Sequence, residues 1–168
     1  MSDELELLLA EREITRRLTE YCRAMDRCDY ELGKSVFHPG TYVDYGESYR
    51  GSADGFVDWG LGAHRYLDHH LHRISNITIE VAGDEAGSET YVEAVFRMTR
   101  DGKPMEMRSA GRYVDRWRRI DGRWAISART YLHTTDSLRA LDDAPKPITG
   151  TRYDHDDPSY AALADYRE

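Results

Sequence analysis

From Glu4 to Met25 the apolar residues Leu5, Leu8, Leu9, Ile14, Leu18, Tyr21, Cys22 and Met25 recur at the spacing of one helical face, which predicts a long amphipathic helix packed on something larger. Asp26-Arg27-Cys28-Asp29 interrupts the pattern. Asp29 is placed to cap a short second helix running to Val36, which His38-Pro39-Gly40 stops. Asp26 therefore falls at a junction between two helices. Thr41 to Tyr45 is β-prone and predicts a short strand, turns follow at Gly46 and Gly51, and Ser52 caps a third helix carrying Phe56, Val57 and Trp59. Residues 60–68 show no clear period and read as irregular.

Beyond His69-His70-Leu71-His72-Arg73-Ile74-Ser75-Asn76 the period changes from 3.6 to 2. The alternation predicts strands over His72 to Val81, Ser88 to Arg100, Pro104 to Ile120 and Arg123 to Thr134, joined by Gly83-Asp84-Glu85, Asp101-Gly102 and Asp121-Gly122. Asp-Gly between alternating runs is a strong hairpin signal, so the last three strands form an antiparallel meander. Helices first and strands afterwards mean an α+β fold, with the helices packed across one side of an antiparallel sheet. Gly111, in the middle of a long strand, marks a bend or bulge, and a strongly curved sheet with helices across its open side encloses a pocket. This places a domain over residues 1–140. Residues 141–168, with Pro145, Pro147, Pro158 and the acidic run Asp154-His155-Asp156-Asp157, read as a tail or arm that packs on a neighbouring subunit, with a helical turn or two between Tyr160 and Tyr166.

Composition narrows the partners. A formal charge of −8 with dispersed arginines argues against nucleic acid, no apolar run is long enough for a membrane span, and the acidic N-terminus is unlike a targeting peptide. The expected setting is the cytoplasm and the expected partner a small, weakly polar ligand. Cys22 and Cys28 match neither a CxxC motif nor a zinc pair and read as buried thiols. His64, His69, His70 and His72 invite a metal, but their spacing fits no standard ligand set and no HExxH helix accompanies them, so neither a metal nor a cofactor is expected.

The chemistry that remains is acid–base. Asp26 ends the first helix, His72 opens a strand, and Arg129, Tyr131 and His133 share one face of the last strand. A carboxylate accepting from one imidazole nitrogen fixes the tautomer and leaves the other nitrogen to take a proton. A phenol such as Tyr21 or Tyr45 could hold a substrate oxygen, and Arg129 or His133 could stabilise developing charge. Each residue also has a structural reading: Asp26 as a helix terminator, His72 as a satisfied strand-end histidine, Tyr21 as core, Arg129 as an ion-pair partner within the sheet.

At these positions the chain resembles the SnoaL-like family of the nuclear transport factor 2-like superfamily. The resemblance rests on Glu13-Ile14, the run Tyr21-Cys22-Arg23-Ala24-Met25-Asp26-Arg27, His72-x-x-x-Asn76, Gly111-Arg112-Tyr113-Val114-Asp115-Arg116-Trp117 and Asp121-Gly122-Arg123-Trp124. It implies a cone-shaped α+β barrel holding an Asp-His dyad. The enzyme relatives are scytalone dehydratase, bile acid 7α-dehydratase and hexachlorocyclohexane dehydrochlorinase. By that likeness Asp26 and His72 are the dyad, with His70 as the substitute for His72 if the loop before it is shifted. Tyr21 matches a pocket tyrosine. Tyr45, Trp59, Asn76, Arg129, Tyr131 and His133 complete the expected substrate contacts. The resemblance implies a cofactor-independent lyase of dehydratase type acting on a cyclic, largely hydrophobic hydroxy or keto compound such as a steroid or polycyclic aromatic metabolite, in a homo-dimer or trimer. A ketosteroid-type isomerase and a non-catalytic ligand-binding or oligomerisation module remain as alternatives.

Overall fold

The computed structural model describes residues 3–142 and 153–164. Helices α1 (Asp3–Arg27) and α2 (Tyr30–Ser35) lead into strands β1 (Phe37–Asp44) and β2 (Arg50–Ser52) and helix α3 (Ala53–His64). Four long strands follow, β3 (His69–Ala82), β4 (Glu85–Arg100), β5 (Lys103–Ile120) and β6 (Arg123–Ala140), and then a short helix α4 (Pro158–Ala164). The strands form one curved, open sheet in the order β2-β1-β6-β5-β4-β3, with α1 and α3 packed across it. The α+β class expected from the sequence is the one observed.

The sheet is mixed rather than wholly antiparallel. β1 runs parallel to β6, with Val43 opposite Arg129, while the other neighbours are antiparallel. Hairpins dictate direction within β3 to β6. β1 is joined to β6 only through distant chain, so no turn imposes an orientation on that pairing. Asp101 and Gly102 (φ 52° and 73°) and Asp121 and Gly122 (φ 50° and 76°) take the left-handed pairs that Asp-Gly hairpins use.

Curvature comes from two slips in the β5–β6 register, one between Ala110 and Gly111 and one between Arg116 and Trp117. Each adds a residue on β6, bending the sheet around its inner face. A Cβ at Gly111 would fall 2.5 Å from the Leu132 carbonyl and 2.6 Å from the Tyr131 ring, so only glycine admits that closure. The inner face and the helices share a core of Ile14, Leu18, Tyr21, Met25, Val57, Leu61, Trp117, Trp124 and Ile126.

Element bounds differ where local signals compete. β1 starts at Phe37 because Pro39 and Gly40 are looped out between the paired residues Phe37 and Tyr42, which spares a proline from donating to the ladder. α3 continues through the stretch expected to be irregular as far as His64, and β6 continues beyond Thr134 to Ala140 by pairing with β5. On α1 burial begins at Ala10. Leu8 and Leu9, expected on the packed face, are 58% and 43% exposed, so the first turns overhang the core.

The segment 153–164 packs on α1 and α2 of its own chain. Tyr160 Oη donates to Asp29 Oδ2 (2.7 Å), Arg23 donates to Ser159 Oγ (2.9 Å), and Arg27 pairs with Asp157 (3.3 Å). The expected breakers Pro145 and Pro147, and Tyr166, lie outside the described residues. No helix among the described residues is long and apolar enough to cross a membrane.

Candidate active site

The end of α1 organises the site. Cys28 closes the helix in the left-handed region (φ 51°), Asp29 N–H returns to the Ala24 carbonyl (3.0 Å), and Asp29 at once caps α2 by accepting from Leu32 N–H (3.0 Å). This tight junction leaves Asp26 in the last turn of α1, beside the edge strand β3. Its carboxylate holds both the backbone and the ring of one residue. His72 N–H donates to Oδ2 (3.0 Å) and His72 Nδ1 lies 2.7 Å from Oδ1. Because a carboxylate only accepts, Nδ1 carries the hydrogen and Nε2 is the free basic nitrogen.

Two further imidazoles flank the dyad. His70 Nε2 donates to the Met25 carbonyl (3.0 Å), so the helix end is stitched to β3 at alternate residues. His64 of α3 stands 4.7 Å from the His70 ring and 5.6 Å from the His72 ring. Burial, then the neighbouring imidazoles, push the His64 pKa down to about 4, so this ring is neutral at pH 7. Tyr153 stacks on His70 at 4.8 Å.

A second group, built on phenols, lies on the inner face. Tyr21 Oη and Tyr45 Oη are 2.9 Å apart. Tyr45 stacks on Phe56 at 3.9 Å and on Tyr131 at 5.3 Å, and Tyr21 meets Tyr113 edge-on at 5.5 Å. Burial raises the pKa of Tyr21, Tyr45 and Tyr113, so all three are neutral hydrogen-bonding groups near pH 7. Beneath them Arg129 is locked to Asp115 by Nε (2.7 Å) and Nη2 (2.8 Å), both side chains being fully buried.

A cavity of about 580 Å³ is lined by Tyr45, Phe96, Met107, Ser109, Tyr131 and His133. Phe96 of this lining stands edge-on to His72 at 5.7 Å, while neither Asp26 nor His72 itself lines the cavity. A larger cavity, about 700 Å³, shares Ser109 and Asp136 with it and reaches Asp26 and Tyr153, but much of its wall is charged residues of the opposite strand face, including Arg73, Glu93, Arg97 and Arg108. Aromatic rings and phenols make the smaller cavity the better host for an apolar, oxygenated ring system.

The structure thus brings Asp26 and His72 together, and separately joins Tyr21, Tyr45 and Tyr131. His70 bonds to the helix end instead of to Asp26. Arg129, expected to touch substrate, is buried and spent on Asp115, because its strand position points under the phenols. His133 sits at the rim, with its side chain half exposed and 3.9 Å from Asp136. Two expected contacts fall elsewhere. Asn76 is exposed at a β3 bulge with φ 47°, a conformation asparagine tolerates. Trp59 is 48% exposed on α3, against Tyr49 and Phe56. Phe96, Ser109, Tyr113 and Asp115 join the site without having been singled out. Their signal was strand parity with Gly111 and Arg129, readable only once the register is known. Among the described residues, no three His, Cys, Asp or Glu side chains are grouped to hold a metal ion.

Comparison with known proteins follows the same lines. Pea pathogenicity protein 2 of Fusarium vanettenii is 25% identical over 166 residues, covering 96% of this chain and 71% of that protein. A candidate scytalone dehydratase of Novosphingobium aromaticivorans DSM 12444 superposes with a TM-score of 0.70 at 24% identity, over 84% of this chain and 95% of that one. The hexachlorocyclohexane dehydrochlorinase LinA-type3 of Novosphingobium barchaimii LL02 gives 0.71 at 16% identity, over 87% and 99%. The family model described as the SnoaL-like domain matches residues 6–130, and the chain belongs to that family.

Proposed function

We propose that the chain is a cofactor-independent lyase of dehydratase type, acting on a cyclic, largely hydrophobic hydroxy or keto compound. The observation that carries this reading is the double grip of Asp26 on His72, which fixes the ring with Nε2 free. Nε2 takes a proton from a carbon next to a carbonyl. The C–H electron pair moves toward the carbonyl oxygen, whose growing charge is met by the Tyr21–Tyr45 phenols. The enolate then re-forms the carbonyl and a carbon–carbon double bond as the neighbouring C–O bond breaks, and protonated His72 gives its proton to the departing hydroxyl, so that water leaves and the base is restored. The similarity to a candidate scytalone dehydratase supports the class of reaction.

The test is turnover of a panel of hydroxysteroids and partly reduced polycyclic diols, with products identified by mass. Loss of water is the expected outcome. A shifted double bond at unchanged mass would instead assign isomerase chemistry. Asp26→Asn and His72→Ala should each lower kcat by ~10²–10⁴-fold, the usual contribution of a positioned general base. Turnover unaltered in both variants would end the dyad mechanism.

A further inference from the structure

The dyad reading leaves Arg129 and Asp115 without a task. Both side chains are fully buried, and a buried ion pair adds little net stability over apolar residues of similar volume. Asp115 accepts from Nε and Nη2 of Arg129, whereas Nη1 is buried without a well-formed hydrogen bond, and Arg129 exerts its remaining hydrogen-bonding influence on the Tyr21 and Tyr45 hydroxyls. The guanidinium carbon lies 4.2 Å from the centre of the Tyr21 ring and 4.1 Å from that of Tyr113, in the corner that these two edge-on rings make. A full positive charge, with one N–H not tied to Asp115, is therefore held behind the Tyr21–Tyr45 pair and outside the cavity lining.

We propose that Arg129 and Asp115 are positioning residues that polarise the Tyr21–Tyr45 phenols toward a substrate oxygen. The inference rests on the proposed lyase reading for its purpose. It goes beyond that reading in assigning a role to a pair that never meets the substrate. As charge builds on the substrate oxygen, part of it passes through the hydrogen bond to the phenols, and the guanidinium answers it in a medium of low dielectric. The groups facing the phenols give the sign of the effect. They are Cys22 on α1, Tyr113 on β5, and Arg129 and Tyr131 on β6, with Asp115 of β5 paired to Arg129. Cys22 is pushed up to about 12, mainly by burial, and is neutral. Arg129 is thus the cation among them, and it works against the burial that raises both phenols. Asp115 tempers it and fixes its plane.

The test reads the resting, full-length protein labelled with 2,3,5-trifluorotyrosine, a much more acidic phenol that brings the burial-raised midpoints into the range the folded protein tolerates, by ¹⁹F NMR over a pH titration. Tyr21→Phe and Tyr45→Phe assign the two signals. Replacing the pair together, Arg129→Met with Asp115→Leu, should raise the ionisation midpoint of both phenols by about one pH unit, a tenfold loss of acidity. Asp115→Asn, which leaves the cation unopposed, should lower it. Opposite shifts distinguish polarisation from a structural role, which moves both variants the same way or neither. Shifts of one sign, or none, overturn the proposal. If the double variant does not fold, Asp115→Asn decides alone: a downward shift upholds the proposal and any other result sinks it. Where turnover is found, the double variant should lose about tenfold in kcat with KM within twofold. Absence of turnover in the wild type would defeat the lyase reading while leaving the NMR result to stand or fall separately.

Discussion

One carboxylate gripping both the amide and the imidazole of His72 makes the neighbouring residues answerable for keeping that imidazole dry and correctly oriented. His64 is the most exposed to test. Its folded pKa of about 4 lies below its ordinary 6.5, so the folded protein binds fewer protons than the unfolded chain between those values. Its contribution is full above about pH 6.5 and is lost as pH falls toward 4. His70, lowered mainly by burial, acts in the same direction. His64→Gln should therefore flatten the dependence of the urea midpoint on pH between 7 and 4.5, and an unchanged slope would contradict this account. At this scale the sequence was most legible for residues whose type and place both speak, Asp26 at a helix end and His72 at a strand start. Asp115 was not legible as a site residue, because its relation to Arg129 exists only through the β5–β6 register. Arg129 was legible both as a substrate contact and as an ion-pair partner within the sheet, and the structure takes the second.

Among elements, the hairpins and caps were written plainly: Ser52 and Asp29 cap the helices they precede, and both Asp-Gly turns close hairpins. The direction of β1 was not, since it depends on a pairing partner more than eighty residues away. Nor were the far ends of the long strands, which are held by a device that composition cannot show. Glu106 of β5 accepts from Arg97 of β4 (3.0 Å), Arg108 of β5 (2.9 Å) and Arg139 of β6 (2.7 Å) while itself only 1% exposed. Three guanidiniums on one carboxylate, led by Arg108 and Arg139, hold its pKa down to about 2 from 4.5. A depressed carboxylate contributes fully above about pH 4.5 and loses that contribution as pH falls toward 2. Glu106→Gln should lower Tm by roughly 2–6 °C at pH 7. As pH falls through 2 the wild-type side chain becomes neutral as well, so the two curves should draw together there and converge below it. Parallel curves across the range would mean that the clamp works by shape rather than charge.

The whole molecule poses the question of what residues 143–168 are for. None of the described residues 153–164 belongs to the buried core, so the α1–sheet body carries its own apolar packing. What the segment adds is polar and placed beside the site: Asp157 on Arg27, Ser159 on Arg23, Tyr160 on Asp29, and Tyr153 stacked on His70. These contacts all brace the α1 to α2 junction from which Asp26 reaches His72. Partly exposed ion pairs contribute little stability individually, but positions near a reacting group matter within fractions of an ångström. A chain ending at Asp142 should therefore keep its circular dichroism spectrum and lose only a few degrees of Tm, roughly 2–4 °C. On any substrate that the full chain turns over, its kcat/KM should fall by about tenfold, because the dyad loses its brace and His70 its stacked cover. Light scattering of the same truncated chain separates this role from an arm exchanged between subunits: mass unchanged with kcat/KM reduced supports bracing within one chain. A fall in mass assigns the segment to assembly, and an unchanged kcat/KM removes it from the site altogether.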